Sequence, residues 1–357
     1  MLKDTLKTHG ANFAQFQGVS GVADYGDAAS EYAAALSGCA LMDRSVLGRI
    51  ELAGPDRLSF LQRMSTNDVE KLAIGAGAQT VLTTPEAKIV ELLTVYVRTE
   101  SLLCLTAPQN RAKVFNWLRR NIFFRDKVKP VDLSDITMQF AVFGPRSADL
   151  LGALAANFAP LPFFHSQDMS IAGINTLVCM VPDIAGSGYN LIVARDAGER
   201  LWAALIEAGG PFGLRLMGTT AFDWLRLAAR QPLYGYELSE QVNPLEARLN
   251  QAISFSKGCY TGQEVIARLD TYRKLKQQLA SLQLARMPAL PMPLPIHVDG
   301  VEAGTLTSVA QLPDRYAVVG LGYIRAKFQD AVDIMVESSD GPISGRVIPW
   351  SERTLAH

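Results

Sequence analysis

Residues 257–264 read Lys257-Gly258-Cys259-Tyr260-Thr261-Gly262-Gln263-Glu264, with Ile253-Ser254-Phe255 before them and Val265-Ile266-Ala267-Arg268 after. Core packing does not select a cysteine set between a lysine and two glycines and followed by Gln-Glu. Glycine supplies positive φ or lets another backbone come close, so Gly258 and Gly262 mark a tight loop. They interrupt the helical period, and the loop is expected to join an apolar strand to the start of a helix. Such a loop presents Cys259 outward, with Lys257 two residues away. A nearby cation favours the thiolate, the nucleophilic and metal-binding form of cysteine. The competing reading is a glycine-rich structural turn around a buried cysteine. The clustering of Lys, Cys, Gln and Glu beside two glycines favours the functional one.

The chain around this loop has 357 residues, more than one core comfortably supports, so two or three domains are expected. With 48% apolar residues and a net charge of −1, it reads as globular, without the basic excess of a dedicated nucleic-acid binder. Met1-Leu2-Lys3-Asp4-Thr5-Leu6-Lys7 lacks the apolar run of a signal peptide, and no stretch reaches spanning length. A cytoplasmic protein without membrane contact is therefore expected. Cys39, Cys104, Cys179 and Cys259 form no C-x-x-C pair, which argues against a disulfide framework or a zinc knuckle. The first three lie in apolar surroundings and read as small core residues. His9, His165, His297 and His357 are isolated, so no metal site is expected. The short basic run Arg273-Lys274-Leu275-Lys276 reads as a solvated face.

Periodicity divides the rest. An Ala-rich helix at 28–36 precedes a strand pattern at 48–52. Gly54-Pro55-Asp56 is a turn leading into a helix with Leu58, Phe60, Leu61 and Met64 on one face. Strands follow at 79–83, 89–98 and 102–107, then an amphipathic helix at 111–121. A second block repeats the plan: a strand at 138–143, the turn Gly144-Pro145-Arg146 and a helix at 147–156. Strands at 176–181 and 189–194 and helices at 198–208 and 219–229 complete it. After the proline-rich stretch 287–295, short alternating runs at 296–298, 302–309, 317–324, 332–336 and 343–348 imply a small antiparallel barrel.

The octapeptide, continued by Val265-Ile266-Ala267-Arg268, resembles the K-G-C-[YF]-x-G-Q-E motif of the folate-binding YgfZ family. These proteins are relatives of the glycine-cleavage T-protein, an aminomethyltransferase, and act in iron–sulfur protein maintenance. Further matches fall in the family's order: Gly54-Pro55-Asp56 with Phe60-Leu61-Gln62 and Thr66-Asn67-Asp68-Val69; Leu225-Arg226-Leu227 with Pro232-Leu233-Tyr234-Gly235-Tyr236-Glu237-Leu238; and Gly304-Thr305-Leu306-Thr307-Ser308 with Gly320-Leu321-Gly322-Tyr323-Ile324. The resemblance covers nearly the whole chain. It implies a three-domain α+β fold of the T-protein type: a first α+β part at 1–135, a second, similar part at 136–275 ending in the octapeptide loop, and a β-barrel at 276–357.

The departures from the family pattern lie at its acids. In the aminomethyltransferases an acid near the folate amine assists C–N cleavage; the aligned position here is Leu92, which can neither accept a proton nor stabilise a cation. Glu91 beside it points to the opposite face of the strand by alternation. The G-E-x-G-[FY]-E stretch appears as Ala185-Gly186-Ser187-Gly188-Tyr189-Asn190, and the L-R-x-E-A-G segment has Ala228 in place of its Glu. The resemblance therefore implies binding of tetrahydrofolate or a one-carbon derivative more than aminomethyl transfer. Tyr96 and Tyr189 are the expected pterin contacts and Arg226 the partner of the ligand's carboxylates. Cys259 is the expected functional thiol, assisted by Lys257, with Gly258, Tyr260, Gly262, Gln263 and Glu264 shaping the loop. Iron–sulfur proteins or their assembly factors are the implied partners, because one cysteine supplies a single ligand where clusters take about four. The alternative is a folate-dependent aminomethyltransferase or demethylase.

Overall fold

The structure is a computed structural model describing residues 2–181, 184–272 and 274–350; Arg273 and His357 lie outside the described residues. The chain forms two compact units, one of Met1–Thr80 with Leu92–Phe222, the other of Val81–Glu91 with Asp223–His357.

The first unit is built on two sheets. One runs in the order Gly77–Thr83, Ile89–Val97, Ser101–Thr106, Gly48–Ala53, Lys129–Asp132. The other runs Ser166–Ile171, Ile174–Met180, Gly188–Ala194, Thr137–Phe143, Cys39–Asp43, Leu214–Leu216, antiparallel except for its last pair. Strand alternation explains how the second sheet is covered. Met138, Phe140 and Val142 face the helices Ser147–Leu154 and Gly198–Gly209, burying Leu150, Leu151, Leu201, Trp202 and Leu205. The Phe140 and Trp202 rings meet at 5.1 Å. Full burial of each such side chain contributes roughly 1.5–3 kcal/mol. On the opposite face Leu177, Cys179 and Ile192 pack against Tyr96, Leu103 and Leu105 of the first sheet.

The strand–turn–helix plan read twice from the sequence is present twice. Gly48–Ala53, Gly54-Pro55-Asp56 and the helix Arg57–Met64 match Thr137–Phe143, Gly144-Pro145-Arg146 and the helix Ser147–Leu154. Both turns need glycine for the same reason. Gly54 has φ 106° and Gly144 φ 110°. A Cβ would stand 2.2 Å from the Lys127 carbonyl oxygen in the first and 2.4 Å from that of Gly38 in the second.

The strand Cys39–Asp43 belongs to the early part of the chain, yet it sits between Thr137–Phe143 and Leu214–Leu216. Sequence patterning misses it because Cys-Ala-Leu-Met is apolar on both faces and carries no period.

The second unit contains a closed six-stranded barrel: Gln277–Leu284, Val318–Arg325, Val301–Gln311, Leu294–Val298, Asp333–Val336, Ile343–Ile348. Leu282, Ile296, Leu306, Ile324, Val336 and Ile343 fill it. Register shifts between Ile296 and His297 and between Leu306 and Ser308 bend the strands toward closure. The strand that closes the ring, Gln277–Leu284, is the one the sequence pattern leaves out, because apolar alternation holds only over its last residues. Among the described residues no helix is long and apolar enough to cross a membrane.

Candidate functional site

The octapeptide loop lies wholly in the second unit. The expected strand before it is absent: residues 253–260 are irregular and follow the short turn Asn250–Ala252. Ile253 is buried but Phe255 is 52% exposed, so the segment has no sheet to join. The expected helix is present, Gln263–Tyr272, starting directly after Gly262. Ala87, Leu245, Ile253, Tyr260 and Ile266 form the small core that pins the loop at both ends.

The two glycines of the motif differ. Gly262 has φ 84°, and a Cβ there would lie 2.8 Å from the Thr84 carbonyl oxygen. Beside it Thr83 Oγ1 donates to the Thr261 carbonyl at 2.6 Å. Gly258 has no positive φ, and a Cβ on it would meet nothing within 4 Å, so the expectation of a close approach there is corrected.

Lys257 and Tyr260 are buried, and between them Gly258 and Cys259 stand exposed. The Lys257 ammonium lies 5.0 Å from the Tyr260 ring centroid, a cation–π contact that orders the loop. Burial pushes the Tyr260 hydroxyl up to about 12. Gln263 Nε2 reaches the Lys257 carbonyl at 3.5 Å, and Glu264 is exposed. The other thiols are core residues as expected. Cys39, Cys104 and Cys179 are fully buried, and burial pushes Cys39 and Cys104 up to about 12 and Cys179 higher. Among the described residues no group of three or more His, Cys, Asp or Glu could hold a metal ion.

The three residues expected to touch a ligand are packed into the protein. Arg226 is 1% exposed and commits its guanidinium: Nη1 donates to Glu237 Oε2 at 2.9 Å, Nε to Asp223 Oδ1 at 2.9 Å and Nη2 to Ser308 Oγ at 3.0 Å. Burial opposes its charge, but the carboxylates of Glu237 and Asp223 outweigh burial and raise its pKa. Glu237 in turn accepts from Thr307 Oγ1 and the Leu233 N–H. The Arg and the Glu of one motif are thus each other's partners, and they tie the helix Thr219–Ala228 to the barrel strand Val301–Gln311. In the first unit, Tyr96 is fully buried and donates to the Met180 carbonyl at 2.8 Å. Tyr189 is 1% exposed and meets Phe158 edge-on. Ala228 is also buried, at 1%.

The face between the two sheets of the first unit carries polar groups that sequence reasoning missed. Asn190 stands opposite Ala141, which stands opposite Met42; one row along, Ile192 stands opposite Gln139. The Gln139 carbonyl accepts from the Arg44 N–H at 2.8 Å, so Arg44 extends that row. Alternation puts Gln139 and Asn190 on the side of Ile192 and Cys179, facing the first sheet. Leu92, half-buried, shares the side of its strand that Tyr96 presents to them. Gln139 is fully buried, and among the described residues neither its Oε1 nor its Nε2 has a hydrogen-bond partner; Asn190, 3% exposed, likewise leaves Oδ1 unpartnered. The Arg44 guanidinium lies 4.8 Å over the Phe222 ring and makes no ion pair or side-chain hydrogen bond among the described residues. Burial without an offsetting carboxylate pulls it down to about 10. The signals were a glutamine inside the apolar strand Thr137–Phe143 and an arginine directly after the apolar run 39–42.

The GCVT N-terminal domain family matches residues 2–257. A chloroplastic protein of Arabidopsis thaliana named as a transferase is 33% identical over 321 residues, covering 89% of this chain and 72% of that one. The aminomethyltransferase of Halothermothrix orenii is 30% identical over 347 residues and that of Desulforamulus reducens 28% over 361, each covering at least 96% of both chains. Among solved structures, the glycine cleavage system aminomethyltransferase T of Bartonella henselae superposes with a TM-score of 0.88 at 19% identity, over 99% of this chain and 97% of the other. At that identity the likeness establishes the fold.

Proposed function

The chain belongs to the GCVT N-terminal domain family, and from that premise we propose that it binds tetrahydrofolate or a one-carbon derivative and serves as an accessory protein in iron–sulfur protein assembly or repair, in the manner of the YgfZ branch. The observation that supports this reading is the pairing of a ligand face without its acids and a single exposed thiol. Leu92 and Asn190 stand where the family places carboxylates, and neither side chain takes a proton from an amine. Tyr96 and Tyr189 then hold strands of the first unit in place, and Arg226 holds its helix to the barrel in the second.

Cys259 is the group that acts outward. Buried Lys257 and Tyr260 fix the loop on either side of it, so the thiol is held at the surface in one place. An iron–sulfur cluster would be cargo, with its remaining ligands supplied by the client. The test is rescue of a strain lacking its own family member by wild type and by Cys259→Ala, alongside calorimetric titration with tetrahydrofolate. Rescue by wild type alone is expected; equal rescue removes Cys259 from the mechanism.

The names of the full-length relatives favour a second reading, folate-dependent aminomethyl transfer or demethylation. It requires an acid at the folate amine. Purified protein given tetrahydrofolate and a methylamine-type donor turns over under this reading and only binds folate under the first.

A further inference from the structure

The inner face of the first unit has an unusual polarity. Among the described residues, the Arg44 guanidinium makes no ion pair, and both ends of the Gln139 amide and Asn190 Oδ1 are buried without a hydrogen-bond partner. Two further charged residues project from the facing sheet, Arg49 and Glu51, which stand opposite Leu105 and Leu103. Both are occupied. Arg49 donates to the carbonyls of Ser45, Leu47 and Ser134 and to Thr137 Oγ1. Glu51 accepts from Ser101 Oγ at 2.7 Å and lies 3.9 Å from Arg98. Among the described residues, this face therefore offers a cation at Arg44 and buried amide groups at Gln139 and Asn190.

Buried polar atoms without partners cost stability, and they persist where a ligand or water completes them. Ala141, between Asn190 and Met42 in its row, puts only a methyl group beside Gln139 on this face. A planar heterocycle with a lactam edge suits the floor: its N–H satisfies an amide oxygen and its C=O an amide N–H. Arg44 stands at the partly exposed end of the row, desolvated and stacked on Phe222, and guanidinium donates only. It accordingly attracts a carbonyl or carboxylate oxygen and repels a cation.

We propose that Arg44, with Gln139 and Asn190, makes this face select a folate whose one-carbon unit is a carbonyl, the formyl level, over forms whose one-carbon unit lacks an acceptor or becomes a cationic iminium. The inference rests on the folate reading above and names the ligand form within it. Where an aminomethyltransferase needs an acid to stabilise positive charge, this chain presents Leu92 and, in the neighbouring sheet, an unpaired arginine. Arg44 is a specificity-determining residue in this scheme.

The experiment is calorimetric titration of the full chain with 5-formyltetrahydrofolate, 5-methyltetrahydrofolate and tetrahydrofolate. Wild type is expected to bind the formyl compound about tenfold more tightly than the methyl compound, the scale of one charge-assisted hydrogen bond. Arg44→Gln should bring the two within about twofold while leaving 5-methyltetrahydrofolate binding in place, since only the donor to the carbonyl is weakened. Gln139→Leu should weaken all three compounds together, because it removes a contact to the shared ring. A thermal melt of each variant confirms that it folds. Equal or reversed preference in wild type overturns the inference and leaves the folate reading standing, as does a preference that survives Arg44→Gln. Binding of none of the three overturns the folate reading and this inference with it.

Discussion

Arg226 and Arg44 each lie over an aromatic ring, Tyr236 and Phe222, and they differ in the polar groups around them. Arg226 has a carboxylate on two sides and a hydroxyl on a third, inside the second unit. Arg44, in the first unit, has an aromatic ring beneath it and no carboxylate. Burying a charge is costly, and a protein offsets that cost either internally or with a ligand. The first arginine is therefore architecture, and the second is the one left over for the proposed ligand. The same contrast recurs on a smaller scale, between three buried thiols and one exposed one, and between the tightly hemmed Gly262 and the open Gly258.

The thiols offer the largest effect. In the native protein a maleimide should label Cys259 faster than Cys39, Cys104 or Cys179 by about a thousandfold or more, because buried thiols react only through opening of the core. Comparable labelling of all four, read by peptide mass spectrometry, would break the contrast. Arg226→Met leaves Glu237 buried and unpaired and should cost about 3–5 kcal/mol in denaturant unfolding, much of it recovered in Arg226→Met with Glu237→Leu. A single variant as stable as wild type would show that the pair is dispensable. Gly262→Ala places a Cβ against the Thr84 carbonyl at positive φ and should cost about 1–3 kcal/mol. Gly258→Ala, in open space, should stay within about 0.5 kcal/mol. Arg44→Met, which removes a desolvated charge that has no carboxylate partner, should also leave stability within about 1 kcal/mol or raise it. A loss as large as that of Arg226→Met would make Arg44 architecture too.

Much of the fold was legible because it is written in short-range signals. Gly54-Pro55-Asp56 and Gly144-Pro145-Arg146 announce their turns through residues that only such turns require. The alternating runs of the tail announce a barrel. The apolar strand expected before the octapeptide failed because Ile253 and Phe255 carry no information about whether a partner strand exists. Cys39–Asp43 went unread for the complementary reason, since a strand buried on both faces shows no period.

The site divides in the same way. Cys259, Lys257 and Gly262 could be picked out from the chain because their chemistry is local: a thiol, a cation and a turn within eight residues. Tyr96, Tyr189 and Arg226 were chosen by residue type, and type does not reveal engagement. Arg226 looked like a carboxylate clamp until Glu237, eleven residues on, proved to be the carboxylate it holds. Gln139 and Arg44 went unnoticed because their meaning depends on which strands lie side by side. By itself the sequence determined the turns, the barrel and the exposed thiol loop, features set by backbone sterics and hydrophobic patterning over a few residues. Only the tertiary structure decided which polar groups are spent on the protein and which are left over, because hydrogen-bond partners come from residues far apart in the chain.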